Sequence, residues 1–458
     1  WHDLGDGLDE TTVTVPLDWD EPTGETIELA VARHRASRNS MGSLLMNPGG
    51  PGGSGYDFVA TYYFGVVTEE VLANYDVIGF DPRGVGRSTG IECYTDPADK
   101  DALLYGTFDA KYGTQAWIDE LTVRETDWID ACVENTGDLL GNLDAASVAR
   151  DMDVMRAVLG DEKLTYLGYS YGTYLGAVYA ELFPEKVGRM VLDGAVDPLV
   201  GDLDALATQM AGFESAYRAF LEFCFGSGEC PFRGSVDSAM QQTENLILDA
   251  GDDGLRSSDG RVLDMATIGT GLIQNLYSES LWSRLVQMLA DLDAGDAELT
   301  FESADQYNSR VGGSYEGNGY DIYTAVTCNE GTLGTDGVTP LEGLAIIDAR
   351  APYLGFATAL DDYVALDVTC SNWPYPAAEM PTSYAAEGAP PILVVGTTND
   401  PATPYAQAVS LAHQLSNGVL ITYEGEGHTI YAQGVTCVDS TVDAYFLRGE
   451  VPSADPMC

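Results

Sequence analysis

The sequence predicts an α/β protein, a mostly parallel β-sheet flanked by helices and interrupted by a large, mainly helical cap insertion. Short apolar strands alternate with helical patterns up to about residue 199 and again from residue 389 onward. This alternation is typical of parallel strands joined by crossover helices. In between, strands are scarce. We therefore expect a core formed by residues 1–199 and 389–458, with the cap at residues 200–388.

The individual elements follow from local patterns. Residues 12–19 and 25–34 alternate in strand fashion around a turn at 22–24, which predicts an antiparallel hairpin. Further core strands are predicted at the apolar runs 43–46, 75–80, 164–167, 189–193, 391–395 and 419–423. Helical spacing predicts helices at 145–159, 405–415 and 438–447 in the core and at 203–225, 236–248 and 265–292 in the cap.

The charge balance excludes several partners. Aspartate and glutamate number 72 against 21 lysines and arginines, a formal net charge of −51. Because phosphate binding needs clustered positive charge, nucleic acid and anionic membrane surfaces are not expected partners. No apolar run approaches the roughly 20 residues that span a bilayer, so no membrane span is expected. The acids are spread along the chain, and we interpret them as a solvated surface suited to a salty medium.

Cysteine usage indicates disulfides. The eight cysteines include no C-x-x-C pair and accompany no histidine cluster, so no metal site is expected. An even number of cysteines in an acidic chain that opens at Trp1 without a basic, apolar leader favours a secreted or cell-envelope location. Eight cysteines allow on the order of 100 pairings. Among these we favour neighbours in order, 93–132, 224–230, 328–370 and 437–458.

The clearest chemical motif is Gly168-Tyr-Ser-Tyr-Gly172, between the strand at 164–167 and an apolar helical pattern that extends to residue 183. Strand, Gly-x-Ser-x-Gly and helix together predict a nucleophile elbow, a turn so sharp that glycines must relieve its crowding. Ser170 would then stand at a helix N-terminus whose dipole favours developing negative charge. The alternative is an ordinary turn, since the bare motif is common.

A second glycine-rich segment, Asn47-Pro-Gly-Gly-Pro-Gly-Gly-Ser-Gly55, follows the strand at 43–46. Glycines let a backbone approach a ligand and direct its N–H groups at an oxyanion. A phosphate loop is disfavoured because no Gly-Lys-Ser/Thr follows. A flexible linker is disfavoured because a buried strand enters the segment directly.

A serine nucleophile needs a base and an acid that orients the base. Of the four histidines, His428 alone follows a strand in a glycine-flanked turn. Asp400 follows the strand at 391–395, although an Asp before Pro can also be a plain turn former. The order Ser170, Asp400, His428 matches that of α/β-hydrolases. The Thr403 hydroxyl either supports the Asp400 turn or faces solvent, and both readings remain open.

Two charged residues follow the strand at 75–80, in the segment Asp81-Pro-Arg-Gly-Val-Gly-Arg-Ser88. We interpret Asp81 and Arg83 as residues that stabilise this turn by pairing with each other, rather than as residues that take part in catalysis.

Several segments together resemble the α/β-hydrolase serine peptidases of the prolyl aminopeptidase and tripeptidyl aminopeptidase group, in particular their secreted actinobacterial branch. They span nearly the whole predicted core and comprise Val15-Pro-Leu-Asp-Trp19, the two glycine-rich segments, Asp81–Ser88, Val191-Leu-Asp-Gly194, Asp400-Pro-Ala-Thr-Pro404 and Gly427-His428. The match is weak in the cap, where Val326-Thr-Cys-Asn-Glu330 is its clearest patch. The cysteine that such relatives often carry just before the Val-Pro-Leu-Asp strand is absent.

The resemblance implies a secreted serine exopeptidase that acts on peptides with free N-termini and needs no metal or organic cofactor. It also implies that backbone N–H groups of Gly50 and Tyr171 bind the oxyanion. Glu330 is our candidate for binding the substrate ammonium, because Cys328 would tether its segment; the alternative is a surface acid. Two rival functions remain, a carboxylesterase or lipase on the same fold and a non-catalytic binding protein.

Overall fold

The computed structural model describes residues 1–62, 65–331, 333–334 and 336–458. Its strands are β1 His2–Gly5, β2 Leu8–Pro16, β3 Thr26–His34, β4 Ser43–Asn47, β5 Asp76–Phe80, β6 Leu164–Tyr169, β7 Val187–Asp193, β8 Arg310–Val311, β9 Ser314–Tyr315, β10 Ile392–Asn399 and β11 Gly418–Glu426. The helices before β10 are α1 Gly55–Tyr62, α2 Glu69–Asn74, α3 Pro97–Tyr105, α4 Gln115–Thr136, α5 Ala145–Leu159, α6 Tyr171–Leu182, α7 Asp202–Ser227, α8 Val236–Asp252, α9 Met265–Leu276, α10 Trp282–Asp293, α11 Glu298–Tyr307, α12 Gly319–Glu330, α13 Pro340–Arg350, α14 Gly355–Ala359 and α15 Leu366–Ser371. After β10 come α16 Ala406–Gln414 and α17 Thr436–Arg448.

Within the described residues one sheet contains nine strands, in the order β1-β2-β3-β5-β4-β6-β7-β10-β11. The pairs from β1 to β5 are antiparallel, and all pairs from β5 to β11 are parallel. The central parallel strands are apolar and almost wholly buried, as expected where helices cover both faces. The predicted α/β-hydrolase fold is therefore confirmed.

The predicted hairpin and the predicted core strands are present, with shifts of a few residues at their ends. Strand β1 is absent from the sequence-based expectation. Its four residues, His-Asp-Leu-Gly, are all exposed, and because neither face of the strand is buried the sequence shows no alternation of apolar and polar residues. Only pairing with β2 makes this segment a strand.

Helices α7–α15 lie between β7 and β10 in the chain, and most of them bury their side chains in one apolar cluster. Trp117 and Leu121 of α4 belong to the same cluster, so part of the N-terminal half packs with the helical segment rather than with the sheet. In α12, Ile322, Ala325 and Val326 belong to another cluster. The domain boundaries at residues 199 and 389 remain predictions.

The single helix predicted at 265–292 is wrong, because two helices, α9 and α10, occupy this range. Between them lies a short 3₁₀ turn, and the Ser278 side chain accepts a hydrogen bond from the Ser280 N–H at its start. A serine at this position ends one helix and caps the next, as serines favour caps over helix interiors. The interruption exposes the Tyr277 carbonyl oxygen, which accepts a hydrogen bond from the His428 N–H at 3.0 Å.

The expected pairing of Asp81 with Arg83 is also wrong. The Arg83 guanidinium is fully buried and binds Asp151 of α5 through two nitrogen–oxygen contacts of 2.8 Å. Asp81 instead accepts hydrogen bonds from the Ser54 hydroxyl at 2.5 Å and the Arg87 N–H at 2.8 Å. Both residues are structural, but each stabilises a different part of the fold.

All four predicted disulfides are present, joining Cys93 to Cys132, Cys224 to Cys230, Cys328 to Cys370 and Cys437 to Cys458. The Cys328–Cys370 bond ties α12 to α15. Among the residues described, no helix is both long and apolar enough to cross a membrane.

Candidate active site

Ser170 lies between β6 and α6 in the predicted strand–turn–helix arrangement. Its φ of 54° lies in the left-handed region, which non-glycine residues adopt at an energetic cost. The flanking glycines are required sterically, because a Cβ on Gly168 would lie 2.2 Å from the Gly172 carbonyl oxygen. A Cβ on Gly172 would lie 2.7 Å from the Asn47 carbonyl oxygen. The chain can turn this sharply only because neither position carries a Cβ.

Asp400 and His428 meet at the carboxyl ends of neighbouring parallel strands, β10 and β11. The His428 Nδ1 lies 2.9 Å from both carboxylate oxygens of Asp400. Asp400 is buried, and its Oδ1 accepts hydrogen bonds of 2.9 Å from the N–H groups of Ala402 and Thr403. The side chain is therefore oriented by its own turn.

Thr403 supports this turn, which decides between its two open readings. It is buried, and its hydroxyl donates a hydrogen bond of 3.1 Å to Asp400 Oδ2. The Thr403 hydroxyl oxygen also lies 3.3 Å from the His428 Nδ1.

The environment of His428 raises the pKa of its imidazole and so stabilises the protonated ring. Burial lowers the pKa of His428, but the charge and hydrogen bond of Asp400 outweigh burial and raise the pKa above its ordinary value. The charge of Asp193 contributes in the same direction. The Tyr277 ring packs against the imidazole edge to face, with centroids 5.5 Å apart. The His428 Nε2 is buried and has no hydrogen-bond partner within the described part of the chain.

The loop after β4 lies against the elbow. A Cβ on Gly49 would lie 2.9 Å from the Ser170 Cβ and 2.9 Å from the Tyr171 nitrogen. Only a glycine permits this approach, and its φ of 93° also favours glycine. Gly50 follows directly and lines the space around Ser170. The structure thus places the predicted oxyanion residues Gly50 and Tyr171 in the lining of one cavity together with the predicted nucleophile.

Two cavities meet at Ser170. We call the first the aromatic cavity; it has a volume of about 340 Å³, and its walls include Phe213, Ile273, Tyr277, Tyr307 and Tyr323. The second, the acidic cavity, has a volume of about 580 Å³, and its walls include Tyr171, Tyr174, Asp202, Glu330 and Tyr384. Ser170, Gly50 and Tyr323 line both. A substrate can therefore extend to either side of the serine.

Glu330 ends α12 and points into the acidic cavity. Its carboxylate accepts hydrogen bonds from the Ala145 N–H and from the Tyr171 hydroxyl, the latter at 2.9 Å. Burial raises the pKa of Glu330 to about 8, and these two donors only partly oppose the rise. The charges of Asp144 and Asp202 raise the pKa further. A cation in this cavity would favour the ionised form of Glu330.

Two residues at this site were absent from the sequence-based expectation. Tyr277 covers His428 because of a helix break that local pattern did not indicate. Asp193 ends β7 and lies close enough to His428 to affect its pKa. A polar residue directly after a buried strand is a signal that sequence reasoning used for Asp400, and the same signal points to Asp193.

Comparisons with known proteins agree with this geometry. Residues 357–458 match the family described as TAP-like protein. The chain is 36% identical to serine protease Hip1 of Mycobacterium tuberculosis, in an alignment covering 97% of this chain and 86% of the relative. It is 38% identical to carboxylesterase B of the same species, covering 98% and 85%, and 32% identical to the tripeptidyl aminopeptidase of Streptomyces lividans, covering 97% and 82%. With a serine at a strand–turn–helix elbow, a buried Asp–His pair at the ends of neighbouring strands and this similarity over nearly the whole chain, the protein belongs to the α/β-hydrolase serine peptidase family of Hip1 and the tripeptidyl aminopeptidases.

Proposed function

We propose that the protein is a serine exopeptidase that removes single residues or short peptides from free N-termini. The observation that carries this proposal is the acidic cavity, which joins the serine at the elbow to a buried carboxylate. An α-ammonium group taken into a partly closed site needs a negative charge, because an unpaired buried cation is costly. Glu330 provides a carboxylate there, and within the described residues its hydrogen bonds come from an N–H and a hydroxyl rather than from a cationic side chain.

In this mechanism Ser170 is the nucleophile, His428 the general base and Asp400 the residue that orients His428. The Ser170 oxygen bonds to the carbonyl carbon while its proton passes to His428 Nε2. The C–N bond then breaks as His428 returns the proton to the departing amine, which leaves an acyl-enzyme. Water, deprotonated by His428, attacks the ester and releases the N-terminal product, and Ser170 recovers its proton.

Gly50 and Tyr171 are proposed to stabilise the oxyanion through their backbone N–H groups. The close approach of Gly49 to Ser170 and Tyr171 supports this assignment, since it brings the glycine loop alongside the elbow. One donor of this kind is typically worth about 3–4 kcal/mol of transition-state stabilisation. No metal or organic cofactor takes part in any step.

Two further assignments, of the location and of the cap, accompany the proposal. Four disulfides in a chain this acidic support a secreted or cell-envelope location, where thiols oxidise and stay oxidised. We also propose that residues 200–388 act as a cap over the sheet, because helices α7, α9 and α12 contribute cavity walls while β6, β10 and β11 lead to the reacting groups.

A carboxylesterase is the second candidate. It is favoured by one observation, the 38% identity to a relative named carboxylesterase B. The same three residues serve ester and amide acyl transfer alike. An esterase without need of a free amine would gain nothing from a carboxylate in the acidic cavity, so Glu330 separates the two candidates.

The test is a panel of mono-, di- and tripeptide arylamides with free and blocked N-termini, beside p-nitrophenyl esters. We expect turnover of free-amine arylamides, loss of that turnover in Ser170→Ala, and fluorophosphonate labelling of the unmodified enzyme only. Ester turnover without any arylamide turnover would favour the carboxylesterase. Arylamide turnover that survives Ser170→Ala would overturn the assignment of the nucleophile.

A further inference from the structure

Asp193 ends β7, the strand between the one that leads to Ser170 and the one that leads to Asp400. It pairs with Tyr169 on β6 and with Val395 on β10. Its carbonyl oxygen accepts a hydrogen bond of 2.9 Å from the Ser170 N–H. The Asp193 backbone is therefore attached directly to the turn that carries the serine.

The side chain of Asp193 holds the segment that follows His428. Its Oδ2 accepts hydrogen bonds from the N–H groups of Ile430 at 2.9 Å and Tyr431 at 2.8 Å. Between His428 and Ile430, Thr429 has a φ of 60°, which is costly for a β-branched residue. The carboxylate thus stabilises a strained backbone directly behind the imidazole.

The other carboxylate oxygen of Asp193, Oδ1, does not take part in holding this segment. Asp193 is 1% exposed, and its Oδ1 is buried without a hydrogen-bond partner within the described ranges. An unpaired buried carboxylate oxygen lowers stability. Asparagine could accept the same two N–H bonds without carrying a charge into the interior. A structural role alone therefore does not require aspartate at this position.

The imidazole lies against the backbone next to this carboxylate. A Cβ on Gly194 would lie 3.0 Å from the His428 Cε1 and 3.3 Å from its Nδ1. Burial raises the pKa of Asp193 to about 6, while a positive charge on His428 lowers it. Reciprocally, the charge of Asp193 raises the pKa of His428. Asp193 and His428 are thus coupled through space as well as through the backbone.

We propose that Asp193 is a positioning residue for the reaction, an inference that rests on the proposed function of Ser170, Asp400 and His428. Its Oδ2 fixes the backbone that carries His428. Its negative charge adds to that of Asp400 in stabilising the imidazolium that forms when Ser170 loses its proton. The same residue holds the elbow through its carbonyl oxygen, so one strand end sets the relation between nucleophile and base.

The test is Asp193→Asn, which keeps an acceptor for the two N–H groups and removes the charge. We expect kcat on a free-amine arylamide to fall by about 10–100-fold with KM changed less than about twofold. The acidic limb of the kcat/KM pH profile on an amine-free p-nitrophenyl ester, which reports His428 in the free enzyme without the ionisation of Glu330, should move to lower pH by about half a unit or more. Unchanged kcat together with an unchanged acidic limb would overturn the inference.

Asp439→Asn is the matched control. Asp439 Oδ1 accepts a hydrogen bond of 2.8 Å from the Ala432 N–H, so it holds the same segment from α17. Its charge is not among those that shift the pKa of His428. We expect a loss of thermal stability with kcat and the acidic limb at their unmodified values. If the control moves the acidic limb as far as Asp193→Asn does, the effect is mechanical and the charge contribution is refuted.

Ser170→Ala, assayed in parallel, separates this inference from the proposed function. Arylamide turnover by Ser170→Ala defeats the proposed function itself. Inactive Ser170→Ala together with fully normal Asp193→Asn defeats only the role of Asp193.

A second measurement needs no substitution and decides the matter if Asp193→Asn does not fold. In the unmodified enzyme labelled with ¹⁵N-histidine, the Nδ1 proton resonance of His428 should report its own ionisation and a further step near pH 6 from Asp193. A single step over the whole range from about pH 3 to pH 9 would mean that ionisation of the carboxylate does not affect the imidazole, which contradicts the proposal.

Discussion

The strand ends and the helical segment α7–α15 form the same cavities in different ways. Ser170, Asp400 and His428 each follow a strand within two residues, and their positions are set by backbone hydrogen bonds of the sheet and its turns. The helical segment contributes cavity walls through side chains such as Phe213 and Glu330. Their positions depend on the packing of several helices against one another. The difference predicts that substitutions in the walls change which substrates fit and leave the geometry of the proposed catalytic residues unchanged.

The largest expected effect tests the strand ends. Asp400→Asn should lower kcat by about 10⁴-fold, because an amide cannot stabilise the imidazolium and favours the wrong tautomer of His428. The measurement is steady-state turnover of a free-amine tripeptide arylamide. Asp348→Asn, a change at a carboxyl in α13 that lines neither cavity, serves as control and should retain activity. A loss below about tenfold in Asp400→Asn would contradict the role of this strand end.

The next effect tests whether the helical segment can be loosened separately. Replacing both Cys328 and Cys370 with alanine opens a loop of 42 residues and should lower the free energy of unfolding by about 2–4 kcal/mol. Because Glu330 lies two residues from Cys328, KM for free-amine substrates should rise, while the rate of fluorophosphonate labelling at Ser170 should not change. Denaturant unfolding and labelling kinetics measure the two quantities.

The short Cys224–Cys230 loop, with a sequence separation of 6, is the control for this comparison. Its removal should cost less stability, because a shorter loop loses less chain entropy in the unfolded state. Its removal should also leave KM unchanged, since no residue next to either cysteine lines one of the two cavities, whereas Glu330 near Cys328 does. If removal of Cys328–Cys370 lowered the labelling rate as much as it raised KM, the helical segment and the strand ends would not behave independently.

A smaller effect is expected at Glu330. Glu330→Gln should raise KM or lower kcat/KM for free-amine substrates by roughly 10–100-fold, which corresponds to about 1.5–3 kcal/mol for a charged hydrogen bond. Hydrolysis of esters that lack an amine should be spared. Equal losses on both substrate types would mean that Glu330 supports the fold rather than binding the substrate.

The pH dependence sharpens the same prediction. The α-ammonium group loses its proton near pH 8, and Glu330 loses its own proton at a pKa of about 8. The fraction of enzyme–substrate encounters in which the amine is protonated and Glu330 is ionised is therefore largest near pH 8. We expect kcat/KM for free-amine substrates to pass through a maximum there, and Glu330→Gln to lose the rise on its acidic side. Amine-free esters, assayed from pH 6 to 9, provide the reference profile.

The smallest expected effect concerns stability. The pKa of Glu330 is about 8 in the folded protein against an ordinary value of 4.5, so the folded state binds this proton more tightly than the unfolded state does. Stability contributed by the protonated carboxyl is complete below about pH 4.5 and is lost as pH rises toward 8. Glu330→Gln should therefore raise Tm at pH 8–9 by about 2 °C and not at pH 4. A lower Tm at pH 8–9 would indicate that the carboxylate is stabilising there.

Local sequence alone accounted for the fold class, the elbow, the Asp400 and His428 turns and the four disulfides. Each of these depends on residues close in the chain, such as Gly168 and Gly172 beside Ser170, or on cysteines that pair with their next neighbours. Glycine and the periodicity of apolar residues act over a few positions, so their consequences can be predicted without knowing what packs where.

Tertiary structure alone decided the remaining features. Arg83 binds Asp151 rather than Asp81, Tyr277 covers His428, and Asp193 holds the segment behind that histidine, over separations of 68, 151 and about 240 residues. The physical reason is burial. A charged or aromatic side chain excluded from water takes the partner that packing brings within reach, and sheet order and helix packing, not distance along the chain, determine that partner.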